Sequence, residues 1–207
     1  MKDQHDMRGP GGGVSRRAFL KGSSAAAAAT AMATGAGIAE ADDKQTPVLG
    51  PEPTTISLNV NGKTEQVKVE PRTTLLEVLR FQLNLTGAKP VSVDGSSGAS
   101  TVLIDNKPAA ANIMLAVDCV GKAIRTVESL GGDKPDAVPV AFVHNDAMQC
   151  GFCTPGFVVA MRYFLDKNPQ ATEAEIRQGL NGNLCRCGTY ANVIQAALEV
   201  VKGGSRG

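Results

Sequence analysis

Four of the five cysteines in this 207-residue chain stand in two tight pairs, Cys150-Gly-Phe-Cys153 and Cys185-Arg-Cys187, with 31 residues between the pairs. Four thiolates drawn from two such segments make a soft donor set that suits zinc or an iron–sulfur cluster. Two disulfides also satisfy the count, although a bond across Cys185-Arg-Cys187 closes a strained ring. Spacing alone leaves disulfide, structural zinc and a 2Fe–2S cluster open. No nucleophile–base pair that would act on a substrate can be defended.

A second set of positions keeps a metal-loop spacing without its sulfur. Ser92, Ser97 and Ser100 repeat the four-residue and two-residue gaps that plant-type ferredoxins use for cysteines around a 2Fe–2S cluster. A serine hydroxyl is hard and stays protonated at neutral pH, so it holds iron poorly where four thiolates would hold it well. Cys119 is isolated and reads as a buried free thiol. His144 lies among helix-like residues and reads as a surface or cap residue.

Distinct elements must position the two sets. ISLNVNGKTEQVKV alternates, with Ile56, Leu58 and Val60 on one face and Val67 and Val69 after the turn. Asn61-Gly62 between the runs is a hairpin signal, because both residues tolerate positive φ. TTLLEVLRFQLNLTG places Leu75, Leu76, Leu79 and Leu83 at helical spacing, with Gly87 beyond the end. TVLID after the serines reads as a strand and AIRTVESL (123–130) as the last one. From about residue 138 the pattern is helical. Thr154 is expected as N-cap with Pro155 at the first helical position, and Asn168-Pro169 stops that run. Phe157, Met161, Phe164 and Leu165 line its core face. Thr172 and Glu175 form a capping box, and Tyr190 to Val201 is an amphipathic helix closed by Gly203-Gly204. The expected fold is α+β, a ferredoxin-like β-grasp domain over 54–133 followed by an all-α helical domain over 138–204.

Apolar residues make up 43% of the chain and charged residues 20%, an ordinary globular balance. Net charge is +1, and the first 41 residues hold five basic and three acidic side chains, leaving −1 for the rest. No basic stripe laced with aromatics occurs, so nucleic acid is not an expected partner. Residues 1–41 read as a twin-arginine export signal: Ser15, Arg16-Arg17, Phe19, Leu20 and Lys21, an Ala-rich stretch, then the small-x-small site Ala39-Glu40-Ala41. Residues 42–53 are polar and Pro-rich, a linker. The expected location is the periplasm, with membrane attachment only if the signal is retained. Twin-arginine export moves folded chains, which lets a cofactor be installed before the oxidising compartment is reached.

QCGFCTPGFVVAMRYFL, the Asn168-Pro169 stop, EIRQGLNGNLCRCGTY and the closing helix resemble the helical 2Fe–2S domain in the small subunit of molybdenum hydroxylases, the xanthine dehydrogenase and aldehyde oxidoreductase family. TTLLEVLRFQLNLTGAK and TVLID resemble its ferredoxin-like domain, so the likeness spans about residues 54 to 202. CRCGTY resembles a bacterial branch that oxidises aldehydes or N-heterocycles. The resemblance implies that Cys150, Cys153, Cys185 and Cys187 ligate a 2Fe–2S cluster, that Gln149 lies near the pterin of a large molybdopterin-binding partner, and that Gly151 admits backbone close to cluster sulfur. It also implies that Ser92, Ser97, Ser100 and Asn112 occupy the four positions of a second cluster that this chain has lost. The expected function is electron transfer through one 2Fe–2S cluster in a periplasmic molybdenum-dependent oxidoreductase. A flavin subunit or c-type cytochrome is the expected acceptor. The alternative is a structural or assembly subunit of little redox role, its cysteines holding zinc or a non-conducting cluster.

Overall fold

The computed structural model describes residue 17 and residues 50–204. The expected export signal, Arg17 aside, and residues 42–49 of the expected linker lie outside the described residues. Strands β1 (Thr54–Val60) and β2 (Lys63–Val69) form the expected hairpin. Its turn sets Asn61 at φ 52° and Gly62 at φ 80°, the left-handed pair that a type I′ turn requires. The alternation sends Ile56, Leu58, Val60, Val67 and Val69 into the core.

Thr74 and Glu77 make a capping box that starts α1 (Leu75–Glu77). The helix then widens into a π-helical turn over Val78–Gln82, so it is shorter than the leucine spacing predicts. Leu83 N–H bonds to Val78 O at 3.1 Å and Leu85 N–H to Leu79 O at 2.7 Å, five and six residues back, which unwinds the ladder. Leu75, Leu76, Val78 and Leu79 are buried with the strand residues in one hydrophobic cluster.

Strands β3 (Thr101–Ile104) and β4 (Lys107–Ala110) form a second antiparallel hairpin. Asp105 and Asn106 turn it at φ 48° and 58°. The sequence reading lacks β4, because Lys-Pro-Ala-Ala has no alternation. A proline is tolerated there because β4 is an edge strand. The sheet order is β2-β1-β5-β3-β4, with β5 (Ala123–Arg125) parallel to β1 and antiparallel to β3. The strand expected over 123–130 stops at Arg125. Thr126 gives its N–H to Asn61 Oδ1 at 2.8 Å, outside the strand ladder, and a 3-10 turn follows over Val127–Leu130.

The rest is helical: α2 (Ala137–His144), α3 (Thr154–Lys167), α4 (Glu173–Gly179) and α5 (Tyr190–Gly204). Asp136 caps α2 by accepting Val138 N–H at 2.8 Å, and Thr172 with Glu175 makes the expected capping box on α4. Phe142, Phe157, Met161, Ile176 and Ala197 lie at the centre of a second hydrophobic cluster. Each large side chain buried there stabilises the fold by about 1.5–3 kcal/mol. Helix α3 also packs on β3 and β4, so it joins the two clusters. Among the described residues no helix is long and apolar enough to cross a membrane.

Candidate metal centre

Both cysteine pairs lie in loops that lead into helices. Cys153 precedes α3 directly, and its carbonyl accepts the first helical bond from Phe157 N–H at 3.1 Å. Cys153 is therefore the N-cap and Thr154 the first helical residue, which corrects the expected cap by one position. Thr154 Oγ1 is not used in capping; it is buried without a hydrogen-bond partner. Between Cys150 and Cys153 the chain reverses at Gly151, where φ is 82°. Met148, Gln149 and Phe152 are exposed around Cys150.

Cys185 is buried and held at two points before α5. Its N–H donates to Tyr190 Oη at 2.7 Å, and its Sγ lies 3.1 Å from Thr189 Oγ1. The Tyr190 ring meets Phe157 of α3 edge-on at 6.1 Å, tying the two cysteine-bearing loops to one core. Arg186 is exposed between the cysteines. Each pair thus stands near the N-terminal end of a helix, where the helix dipole favours thiolate.

All five cysteines are free. In the two loops each thiol's acidity responds to a thiol from the other loop, Cys150 to Cys187 and Cys153 to Cys185. The inner pair is shielded, with Cys185 buried and Cys153 half-buried, while Cys150 and Cys187 are exposed. Burial, then the hydrogen bond to Cys185, pushes the Cys153 thiol up to about 12. Burial also raises Cys185, but hydrogen bonds from Thr189 and Cys153 outweigh it and bring that thiol to about 7. In the outer pair the Phe152 backbone N–H and the Cys187 side chain lower the Cys150 thiol, while Cys187 is raised.

Among the described residues no group of three or more His, Cys, Asp or Glu side chains gathers closely enough for one metal ion. The four thiols would make a soft donor set for a binuclear 2Fe–2S cluster, and the buried, unpartnered Thr154 hydroxyl next to Cys153 is a donor of the kind that hydrogen-bonds cluster sulfur.

The second set of positions does not fit such a group. Ser92 Oγ and Ser97 Oγ lie 2.9 Å apart, and Ser97 N–H donates to Ser92 Oγ at 3.0 Å. Ser100 Oγ donates to Asn112 Oδ1 at 2.5 Å, and Asn112 Nδ2 donates to Ser92 O at 3.0 Å and Val93 O at 2.8 Å. The four residues close on one another through hydrogen bonds, offering hard neutral oxygens and no thiolate. Val91 and Val93 beside them are exposed.

The same loop touches the cysteine segments. Asn183 Nδ2 donates to Gly98 O at 3.0 Å, and Leu184 N–H donates to Ser97 O at 3.0 Å, immediately before Cys185. A Cβ on Gly156, three residues after Cys153, would stand 2.2 Å from Gly98 O. Asn183, Gly156, Thr189 and Tyr190 are site residues that the sequence reading did not assign, since only Asn183's place just before Cys185 hinted at a role. Cys119 is indeed buried, its Sγ donating to Leu115 O at 3.4 Å. His144 ends α2 on the surface, 2.9 Å from Glu199 Oε1.

Comparison with known proteins adds to this geometry. Residues 126–198 match the family described as a 2Fe-2S binding domain. The chain is 37% identical over 217 aligned residues to the aldehyde oxidoreductase iron-sulfur-binding subunit PaoA of Escherichia coli O157:H7, covering 97% of this chain and 91% of that protein. It is 42% identical over 149 residues to the caffeine dehydrogenase subunit gamma of Pseudomonas sp. (strain CBB1), covering 70% and 89%. Among solved structures, quinoline 2-oxidoreductase from Pseudomonas putida 86 matches with a TM-score of 0.71 at 39% identity, over 75% of this chain and 98% of that one.

Proposed function

The chain belongs to the iron–sulfur small subunits of the molybdenum hydroxylases, and from that premise we propose that it carries electrons through a single 2Fe–2S cluster. Cys150, Cys153, Cys185 and Cys187 are its ligands in this reading, and the ferredoxin-like loop at Ser92, Ser97, Ser100 and Asn112 holds none. The two-domain division into a β-grasp part and a helical part belongs to the same proposal. The observation that carries it is the contrast between four free cysteines in the loops leading into α3 and α5 and a closed hydroxyl–amide network in the serine loop. When bound, the cluster supplies a one-electron site of tunable potential.

The chain's own residues have definable tasks toward it. Four thiolates supply soft charge, the α3 and α5 N-termini stabilise that charge, and Thr189 donates to Cys185 Sγ. Tyr190, braced edge-on by Phe157, accepts the Cys185 N–H and fixes that ligand's backbone. Gln149, exposed beside Cys150, faces the pterin of the large molybdopterin-binding partner, on which an aldehyde or N-heterocycle is oxidised. With one relay position lost, the acceptor, a flavin subunit or a c-type cytochrome, docks close to the remaining cluster. Export by the twin-arginine route places the complex in the periplasm.

Iron, zinc and acid-labile sulfide per chain in the purified complex test the reading. About two irons with one reducible EPR signal is the expected result. About four irons would restore the second cluster, and zinc without iron would favour a structural subunit.

A further inference from the structure

We propose that the serine loop is a positioning brace for the cysteine centre: the hydrogen-bonded set Ser92–Ser97–Asn112–Ser100 shapes the backbone of Ser97 and Gly98, and that backbone seats the segment bearing Cys185. The inference rests on the single-cluster reading above. Ser100 and Asn183 are two of the three buried polar residues among those described, and they stand at opposite ends of this connection. Ser100 is satisfied by Asn112, which also fastens the loop's first turn through Ser92 O and Val93 O. The Ser92–Ser97 contact closes the loop, so Ser97 O and Gly98 O point at their acceptor tasks, taking Leu184 N–H and Asn183 Nδ2.

Backbone approach here is close enough to exclude side chains on either surface. Gly98 has φ 67°, and a Cβ on it would lie 2.5 Å from Asn183 Nδ2 and 2.7 Å from Gly182 O. Gly156 meets Gly98 from the α3 side, three residues past Cys153. The loop therefore bears on the segments that carry both members of the shielded thiol pair, Cys153 and Cys185. Hydroxyls and an amide do by hydrogen bonding what a metal-binding loop does by ligation: they fix the loop's shape. A loop that moved would shift Leu184 and, one residue on, Cys185.

The test uses the full chain loaded with iron, in wild type and in Asn112→Ala, which removes three hydrogen bonds and leaves the buried Ser100 hydroxyl unpaired. Iron release to a ferrous chelator is expected to speed up about tenfold, the equivalent of one buried polar group left unsatisfied. The EPR spectrum of the reduced chain is expected to shift and broaden. Ser97→Ala, a milder change, should do the same to a smaller degree, Ser97→Thr should restore wild-type behaviour, and Ser96→Ala, whose hydroxyl meets only Asp94, should change nothing. Wild-type release rates and spectra in both Asn112→Ala and Ser97→Ala would overturn the brace. Four irons in the wild type would overturn it differently, by showing the hydroxyl loop to be a ligand loop and the single-cluster reading wrong.

Discussion

Replacing Gly156 with alanine sets two effects of opposite sign against each other. Alanine is favoured over glycine in a helix by up to about 1 kcal/mol, so on α3 alone the change stabilises. Against that, the new Cβ would stand 2.2 Å from Gly98 O and 3.1 Å from Ala99 Cα. A carbon–oxygen contact settles at about 3.3 Å, so roughly 1 Å of separation must be found. Gly98 cannot yield it freely, because its carbonyl already accepts Asn183 Nδ2 at 3.0 Å, Thr101 N–H at 3.2 Å and Thr101 Oγ1 at 2.6 Å. Overpacking of this kind costs about 1–3 kcal/mol, and each strained hydrogen bond adds up to about 1 kcal/mol. The steric side wins, with a net loss of about 1–3 kcal/mol. Thermal unfolding of the iron-loaded full chain, followed by circular dichroism, should show a Tm lower by roughly 2–12 °C, given about 2–4 °C per kcal/mol at this size. A Tm equal to or above wild type would refute the close seating of α3 on the serine loop.

Three further outcomes follow from particular residues. Cys119 is buried and burial raises its thiol pKa, so it should resist iodoacetamide at neutral pH in the native chain and react only after denaturation; mass spectrometry reads this directly. Hydrogen bonds from His144 and Asn145 hold the Glu199 carboxyl below its usual range, so the link between α2 and α5 adds stability above about pH 4.3 and loses it as pH falls through the lowered value. Glu199→Gln should therefore flatten the acid limb of a Tm-against-pH curve, and an unchanged limb would deny the link. Thr154→Val removes the orphaned hydroxyl beside Cys153, and an EPR-monitored redox titration should move to a more negative midpoint, since a donor to cluster sulfur stabilises the reduced form. An unmoved midpoint would mean that this hydroxyl serves no sulfur.

Local chemistry made some features readable in advance. Asn61-Gly62 declared a turn because few residues tolerate its dihedrals, and Thr172 with Glu175 declared a helix start because the box is complete within four residues. The two cysteine pairs were readable for the same reason, each being a short-range pattern. Where partners lie far apart in sequence, the pattern was silent. Alternation carried AIRTVESL past its true strand end, because Thr126 leaves the ladder for Asn61, 65 residues away. Cys153 displaced Thr154 as cap through a one-residue difference in where helical dihedrals begin, which spacing cannot resolve. The serine network was legible as a loss of sulfur, but its closure on Asn112 and its seat under Leu184 depend on contacts spanning 12 to 87 residues.

Strand β5 is last in sequence yet lies at the centre of the sheet, between β1 and β3. A nascent chain that has emerged only as far as β4 therefore presents two finished hairpins with no seam between them, and the inner edges of β1 and β3 lie open. Three residues, Ala123 to Arg125, stitch them together when they arrive, through Asn59 and Val60 on one side and Leu103 and Ile104 on the other. Cooperative assembly of the sheet has to wait for this late insertion, and chains truncated before it should self-associate through those bare edges.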